Sequence, residues 1–326
     1  MKWSTIVLSF LCLIVLNSCE NDLDVTSGYK DTTIVYGMLN PNDSIQYIKI
    51  YKAFMGEGNA FDYAHIADSI YFDDVLNVTL YKVEDGISKD SLIFLRDTLS
   101  PMLNGVFALQ PNIAYTSSKK IQSGSTYILR VTNSKNGSVV TSKTGVPGNS
   151  SLSEPNPFKN EISLASSSGY QINWLSGLNA KIYNVVLKFN YQLVCGTDSS
   201  DQYVEWLMGT KTVKESFTRQ YLDIQKTKEA FYQNLNAKLS APDSGCYRIA
   251  GKIELVIIGA ADDYYFYQKI NNATVGISQS IPTYNNITNG LGLFSAKTTN
   301  SWYFELDPMS YDYLIHGPYT SHLKFY

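Results

Sequence analysis

From Thr32 to Thr144 the chain alternates apolar and polar positions in short runs, each bounded by turn-forming residues. TTIVYGML (32–39) and IQYIKIYKAF (45–54) flank Asn40-Pro41-Asn42-Asp43, a turn cluster. In the second run Ile45, Tyr47, Lys49 and Tyr51 share one side and Gln46, Ile48, Ile50 and Lys52 the other. Both faces are mixed, so each side is expected to be partly covered. VLNVTLYKV (75–83) and DSLIFLRDT (90–98) are expected to pair across EDGISK, and STYILRVTN (125–133) with SVVTSKT (138–144) across SKNG.

Within the last pair, Tyr127, Leu129 and Val131 alternate with Ile128 and Arg130. A tyrosine opening such a strand after a glycine resembles the late strands of immunoglobulin-like sandwiches. Tyr127 is therefore a candidate tyrosine corner, with an ordinary half-buried tyrosine as the other reading. The pattern then breaks at VPGNSSLSEPNPF (146–158), where three prolines and three serines argue against a ladder and against burial. Residues 31–147 read as a β-sandwich domain, 148–158 as a linker and 159–326 as a second β-rich domain.

The second half carries longer strands, GYQINWL (169–175), KIYNVVLKFNYQLV (181–194), QYVEWLMGTKTV (202–213) and CYRIAGKIELVIIGA (246–260). The second and third of these are expected to pair across CGTDSSD. SWYFEL (301–306) and HLKFY (322–326) read as closing strands. Two helices interrupt them. Between Thr227 and Leu239 the residues Phe231, Leu235 and Leu239 recur every four positions, giving one apolar stripe. In DDYYFYQKI (262–270), Asp262 can cap the start, and Phe266 and Ile270 would share the inner face. The expected fold is mainly β: an N-terminal immunoglobulin-like β-sandwich followed by a larger antiparallel β domain with two covering helices.

The N-terminus changes where such a chain would reside. Lys2 is followed by an almost unbroken apolar run from Thr5 to Leu16, ending at Asn17-Ser18-Cys19. This run is too short to span a bilayer, which takes about 20 residues, and has the form of a secretory signal. Leu16-Asn17-Ser18-Cys19 resembles a bacterial lipobox, with Asn17 and Ser18 departing from the commonest small residues, as they often do in Bacteroidota. The expectation is a signal over 1–18 and a lipid attached at Cys19, followed by an acidic tether over 19–30 with Glu20, Asp22 and Asp24. A simple secretory signal with a free Cys19 thiol is the other reading. Acids directly behind the anchor resemble a surface-export signal and equally suit a solvated linker.

Composition agrees with a secreted globular chain. Once Lys2 is removed, 25 basic side chains face 29 acidic ones, a formal charge of −4 over residues 19–326 that offers no footprint for nucleic acid. Charged residues make up 17%, below the usual ~25%, while tyrosine reaches 25 copies, which suits sheets and also sugar contacts. With Cys12 lost and Cys19 acylated, Cys195 and Cys246 allow one pairing, either as a disulfide or as two free thiols.

Chemistry is mostly excluded. His65, His316 and His322 lack zinc spacing, no Gly-x-Ser-x-Gly elbow occurs, and no glycine-rich phosphate loop is present. No cofactor is expected. Asp68, Asp73 and Asp74 form a candidate calcium cluster, although the glycine and distal glutamate of an EF-hand loop are missing. Solvated acids at a strand entrance are the stronger reading.

One segment carries a family resemblance. In IPTYNNITNGLGLFSAKTT (281–299), a proline, an Asn-Ile pair and Asn-Gly-Leu-Gly-Leu-Phe-Ser-Ala resemble a C-terminal signature of Bacteroidota lipoproteins known only as a domain of unknown function (four-two-four-nine). The order of lipobox, sandwich-like half, helix-bearing half and final loop is similar too. The resemblance implies no catalytic residues. Members often accompany outer-membrane TonB-dependent receptors, which implies a part in nutrient capture. Gly290 and Gly292 permit backbone conformations closed to other residues, and Leu291, Leu293 and Phe294 can pack inward. The loop, with Asn289, Gly290, Gly292 and Phe294, is a structural plug or a ligand site, the plug being favoured.

Three function classes follow. The first is an outer-membrane binding lipoprotein, lipid-anchored and facing the cell exterior, that serves a TonB-dependent receptor and takes an extracellular ligand such as a glycan or peptide, without catalysis of its own. The second is a fimbrial or adhesin subunit. Many of these mature by cleavage after an arginine near the first strand, and the first arginine here, Arg96, lies inside an expected strand. The third is a secreted hydrolase, for which no constellation is visible.

Overall fold

The computed structural model describes residues 32–53, 60–101, 110–166, 170–224, 229–272 and 284–326. The chain is mainly β. Among the described residues, seven strands build the N-terminal half: β1 (Thr33–Leu39), β2 (Gln46–Lys52), β3 (Leu76–Glu84), β4 (Ile87–Leu99), β5 (Asn112–Ser117), β6 (Thr126–Asn133) and β7 (Val139–Gly145). Strand β4 serves two sheets. Its first part pairs with β3, in the order β4-β3-β6-β7, and residues 95–99 pair with β5, in the order β1-β2-β5-β4. Side chains from both sheets, including Leu39, Ile48, Leu80, Phe94 and Leu129, meet in one core, which is the sandwich arrangement.

Local details explain the register. The mixed faces of β2 are resolved by burying Gln46 with Ile48 and Ile50. Gln46 is accommodated because its side-chain amide donates to the Asn40 carbonyl and accepts from the Asn40 N–H, at 2.8 and 2.9 Å. The β3–β4 hairpin is tighter than EDGISK suggests. Asp85 and Gly86 both have positive φ, Glu84 pairs with Ile87, and the strand starts three residues earlier than expected. Tyr127 is buried, and its hydroxyl accepts the Gln122 N–H at 3.0 Å, which makes it a tyrosine corner. Two short helices, α1 (Ala60–Ala64) and α2 (Ala67–Ile70), lie between β2 and β3 without a sequence expectation.

The C-terminal half contains β8 (Ser151–Glu154), β9 (Glu161–Ile162), β10 (Tyr170–Leu175), β11 (Ile182–Cys195), β12 (Asp198–Thr212), β13 (Arg219–Ile224), α3 (Ala230–Lys238), β14 (Cys246–Ala260), α4 (Asp262–Asn272), β15 (Gly290–Leu306) and α5 (Pro308–His316). The long strands form an antiparallel sheet, β12-β11-β14-β15, beside a small sheet, β13-β10-β8. Between them lies an aromatic core with Trp174, Tyr183, Phe189, Phe231, Phe304 and Phe325. The apolar stripe of α3 enters this core through Phe231 and Leu235.

Four expectations are corrected. The serine-proline segment does hold a ladder, because β8 pairs with β10 and buries Leu152. HLKFY is a single 3-10 turn (Ser321–Leu323) with one bridge from Phe325 to Arg248, not a strand. Asp262 is the first residue of α4, and Phe266 is 42% exposed, stacked on Tyr284. Finally, 290–306 is not a loop followed by a short strand but one continuous strand. Its residues 290–296 run parallel to β1 and residues 297–304 run antiparallel to β14. The sandwich of the first half is thus closed by a strand of the second. Among the described residues no helix is long and apolar enough to cross a membrane.

Candidate functional site

The residues singled out in the sequence do not converge. Cys19 and the acidic tether lie outside the described residues. Cys195 and Cys246 are bonded to one another and face each other in the last register pair of β11 and β14. Asp68, Asp73 and Asp74 are all exposed, and no group of three His, Cys, Asp or Glu capable of holding a metal ion occurs among the described residues. A cation would find too few converging oxygens there, so the calcium cluster is not formed.

The Asn-Gly-Leu-Gly-Leu-Phe segment leads into β15 and packs against β1. Phe294 is fully buried in the sandwich core, while Leu291, expected to pack inward, is 49% exposed. Asn286 holds Phe294 at both ends of its amide, donating to the Phe294 carbonyl (2.7 Å) and accepting its N–H (2.9 Å). Asn289 donates to the Val139 carbonyl of β7 at 3.2 Å. A Cβ on Gly290 would stand 2.7 Å from the Thr33 carbonyl oxygen, and one on Gly292 would stand 2.0 Å from that of Val35. These residues bring a strand close to β1, and their polar groups are spent on the backbone.

The surface with ligand-binding features is the outward face of the C-terminal sheet. Cross-strand register aligns Tyr203 with Asn190, Glu205 and Glu254 with Lys188, and Tyr303 with Glu254. Tyr203 and Tyr303 are each 57% exposed, yet both are held. The Lys188 ammonium lies 4.2 Å from the centre of the Tyr203 ring and 3.7 Å from the Glu254 carboxylate. Tyr303 donates its hydroxyl to Glu254 at 3.1 Å. That carboxylate, with some burial, raises the Tyr303 pKa and keeps the phenol neutral.

Beside this row a groove of about 480 Å³ is lined by Asn190, Gln192, Asp201, Gln202, Tyr203 and Gly251, among others. It follows from an irregularity in the ladder. The β11–β14 register shifts between Phe189 and Tyr191, and the chain at Gly251 approaches β11 so closely that a Cβ there would lie 2.7 Å from the Asn190 carbonyl. A second hollow of about 350 Å³ shares Ala250 and Gly251 and reaches Glu305 and Tyr311. Gln192 donates to Asp201 at 3.3 Å, and the Asn190 amide donates to the Lys252 carbonyl at 3.0 Å. Sequence reasoning did not find this face. Period-two alternation in KIYNVVLKFNYQ places Lys188 and Asn190 on one side, but only the register of four strands unites them with Tyr203 and Tyr303.

No protein-family model matches the chain, and no curated protein matches it. Among solved structures, the FN1-FN3 domains of chicken CNTN1 match 84% of this chain and 67% of that one at 11% identity, with a TM-score of 0.21. A similarity of that degree assigns neither activity nor partner.

Proposed function

We propose that the protein is an envelope-anchored binding lipoprotein, facing the cell exterior, that assists a TonB-dependent outer-membrane receptor in nutrient capture. The observation that carries the binding role is the open groove lined by the fixed tyrosine Tyr203, on a sheet face that the core does not use and that also carries Tyr303. Anchoring rests on the apolar run that ends at Cys19, and the receptor on the resemblance borne by residues 281–299. Glu254, the acid at the centre of the face, already accepts from Tyr303 and pairs with Lys188, an arrangement that suits a rigid contact surface rather than proton transfer. For a fimbrial subunit, the edge of β1 would be a natural place for a neighbour's strand, and β15 of the same chain fills it.

The reading is tested in native membranes. Cys19→Ala is expected to release the protein from the membrane fraction or block its maturation, and affinity purification of the wild type is expected to bring down an outer-membrane transporter. Unchanged fractionation of the variant would remove the anchor. Absence of any transporter, with turnover of a glycan or peptide by the isolated protein, would replace binding with catalysis.

A further inference from the structure

We infer that the groove and tyrosine row between β12 and β15 form a binding site for an uncharged oligosaccharide, a conclusion that rests on the binding-protein reading above. Tyr203 and Tyr303 stand three strand intervals apart with a two-residue offset along the strands, roughly 16 Å in all. Two exposed rings at that separation match an extended ligand better than a single small molecule. Both rings are held before any ligand arrives, Tyr203 by the Lys188 ammonium against one ring face and Tyr303 by its bond to Glu254. Little rotamer entropy is then lost when a flat apolar ligand face stacks on them. A sugar ring presents such a face through its axial C–H groups, with hydroxyls around the rim.

The polar groups beside the rings suit those hydroxyls. Asn190 donates its amide to Lys252 and has no partner for its carbonyl oxygen among the described residues. Asp201 accepts from Gln192 through one oxygen only, leaving the other as an acceptor. Planar amides and a carboxylate can each take up a pair of neighbouring hydroxyls. Charge narrows the class further. Asp201, Glu205 and Glu254 outnumber Lys188 and Lys252 on this face, so an anionic polymer would meet net repulsion. Bare backbone at Gly251 keeps the floor open where any side chain would project into Asn190.

Calorimetric titration of the mature protein with maltohexaose, cellohexaose, xylohexaose and mannohexaose tests the inference. At least one is expected to bind. Tyr203→Ala and Tyr303→Ala should each weaken it about tenfold, Tyr203→Phe should retain it, and Tyr36→Ala, at an exposed tyrosine of the sandwich, should leave it unchanged. Circular dichroism of each variant should match the wild type, because the replaced side chains are exposed. The inference is overturned if none of the four sugars binds, if binding ignores both tyrosine variants, or if a hexapeptide library occupies this face instead. Co-purification of the receptor with the double tyrosine variant separates the two readings. A retained receptor with no sugar binding by the wild type ends the oligosaccharide inference alone, whereas loss of the transporter from the wild type ends the reading beneath it.

Discussion

Gly292 shows how much of this molecule depends on single backbone positions. Its φ of +119° is a conformation that side chains resist, and a Cβ there would lie 2.0 Å from the Val35 carbonyl oxygen. Gly292→Ala is expected to destabilise the protein by about 3 kcal/mol or more, read as a lower midpoint in guanidinium unfolding. An unchanged midpoint would show that β1 and β15 can separate without loss. Tyr51 gives a pH signature. Burial, then the neighbouring Tyr71 ring at 5.5 Å, raise its pKa from 10.0 to about 12. The folded state then holds the phenolic proton more tightly than the unfolded chain, so this contribution is complete below pH 10 and is lost as pH rises from 10 toward 12. Tyr51→Phe should flatten the fall in melting temperature across that window, and a slope identical to wild type would refute the assignment.

Among the elements, α5 and the β11–β14 pair have separable supports. Asp307 caps α5 by accepting the Ser310 N–H at 2.8 Å, with Pro308 at the first helical position. The helix buries Ser310 and Leu314 against the second core, and the Ser310 hydroxyl accepts the N–H groups of Leu164 and Ala165. Asp307→Ala should cost about 1 kcal/mol, while Ser310→Ala, which leaves two buried N–H groups without partners, should cost more. The reverse order in denaturant unfolding would place the weight on the cap. The disulfide between Cys195 and Cys246, 51 residues apart, joins the ends of two strands that are already paired. Loop closure predicts up to about 4 kcal/mol from this bond in the chain-entropy model. Cys195→Ser together with Cys246→Ser should lower the unfolding midpoint accordingly.

For the whole molecule, β15 is the strand that joins the two cores. Its first seven residues complete the sandwich through β1 and Phe294, and the rest closes the C-terminal sheet through β14 and Phe304. A fragment of residues 32–147 would lack Phe294, leaving a void worth about 3–5 kcal/mol, and would expose the edge of β1. It is expected to be unfolded or associated in solution, with poorly dispersed amide resonances, and a peptide of residues 284–299 supplied in trans should restore dispersion. A folded, monomeric fragment would show that the sandwich is self-sufficient.

Local chemistry wrote most of the elements into the sequence. Period-two alternation placed β1, β2, β3, β6, β7, β11 and β14 within a few residues, and the four-residue stripe of Phe231 and Leu235 placed α3. A glycine before Tyr127 signalled its corner. Helix α5 carried no sequence expectation, although Asp307 before Pro308 is the signature of a helix start. Tertiary structure decided what those signals leave open. Alternation defines two faces of a strand but not which is buried, so the mixed faces of β2 were settled only by Gln46 meeting Asn40. It also says nothing about partners, and the pairing of Thr33 with Gly290 joins positions with no local signal in common. The groove at Gly251 and the row from Tyr203 to Tyr303 are of the same kind. They exist because β14 and β15, distant in the chain, adopt one register with the β11–β12 hairpin, a choice made by the burial of their opposite faces.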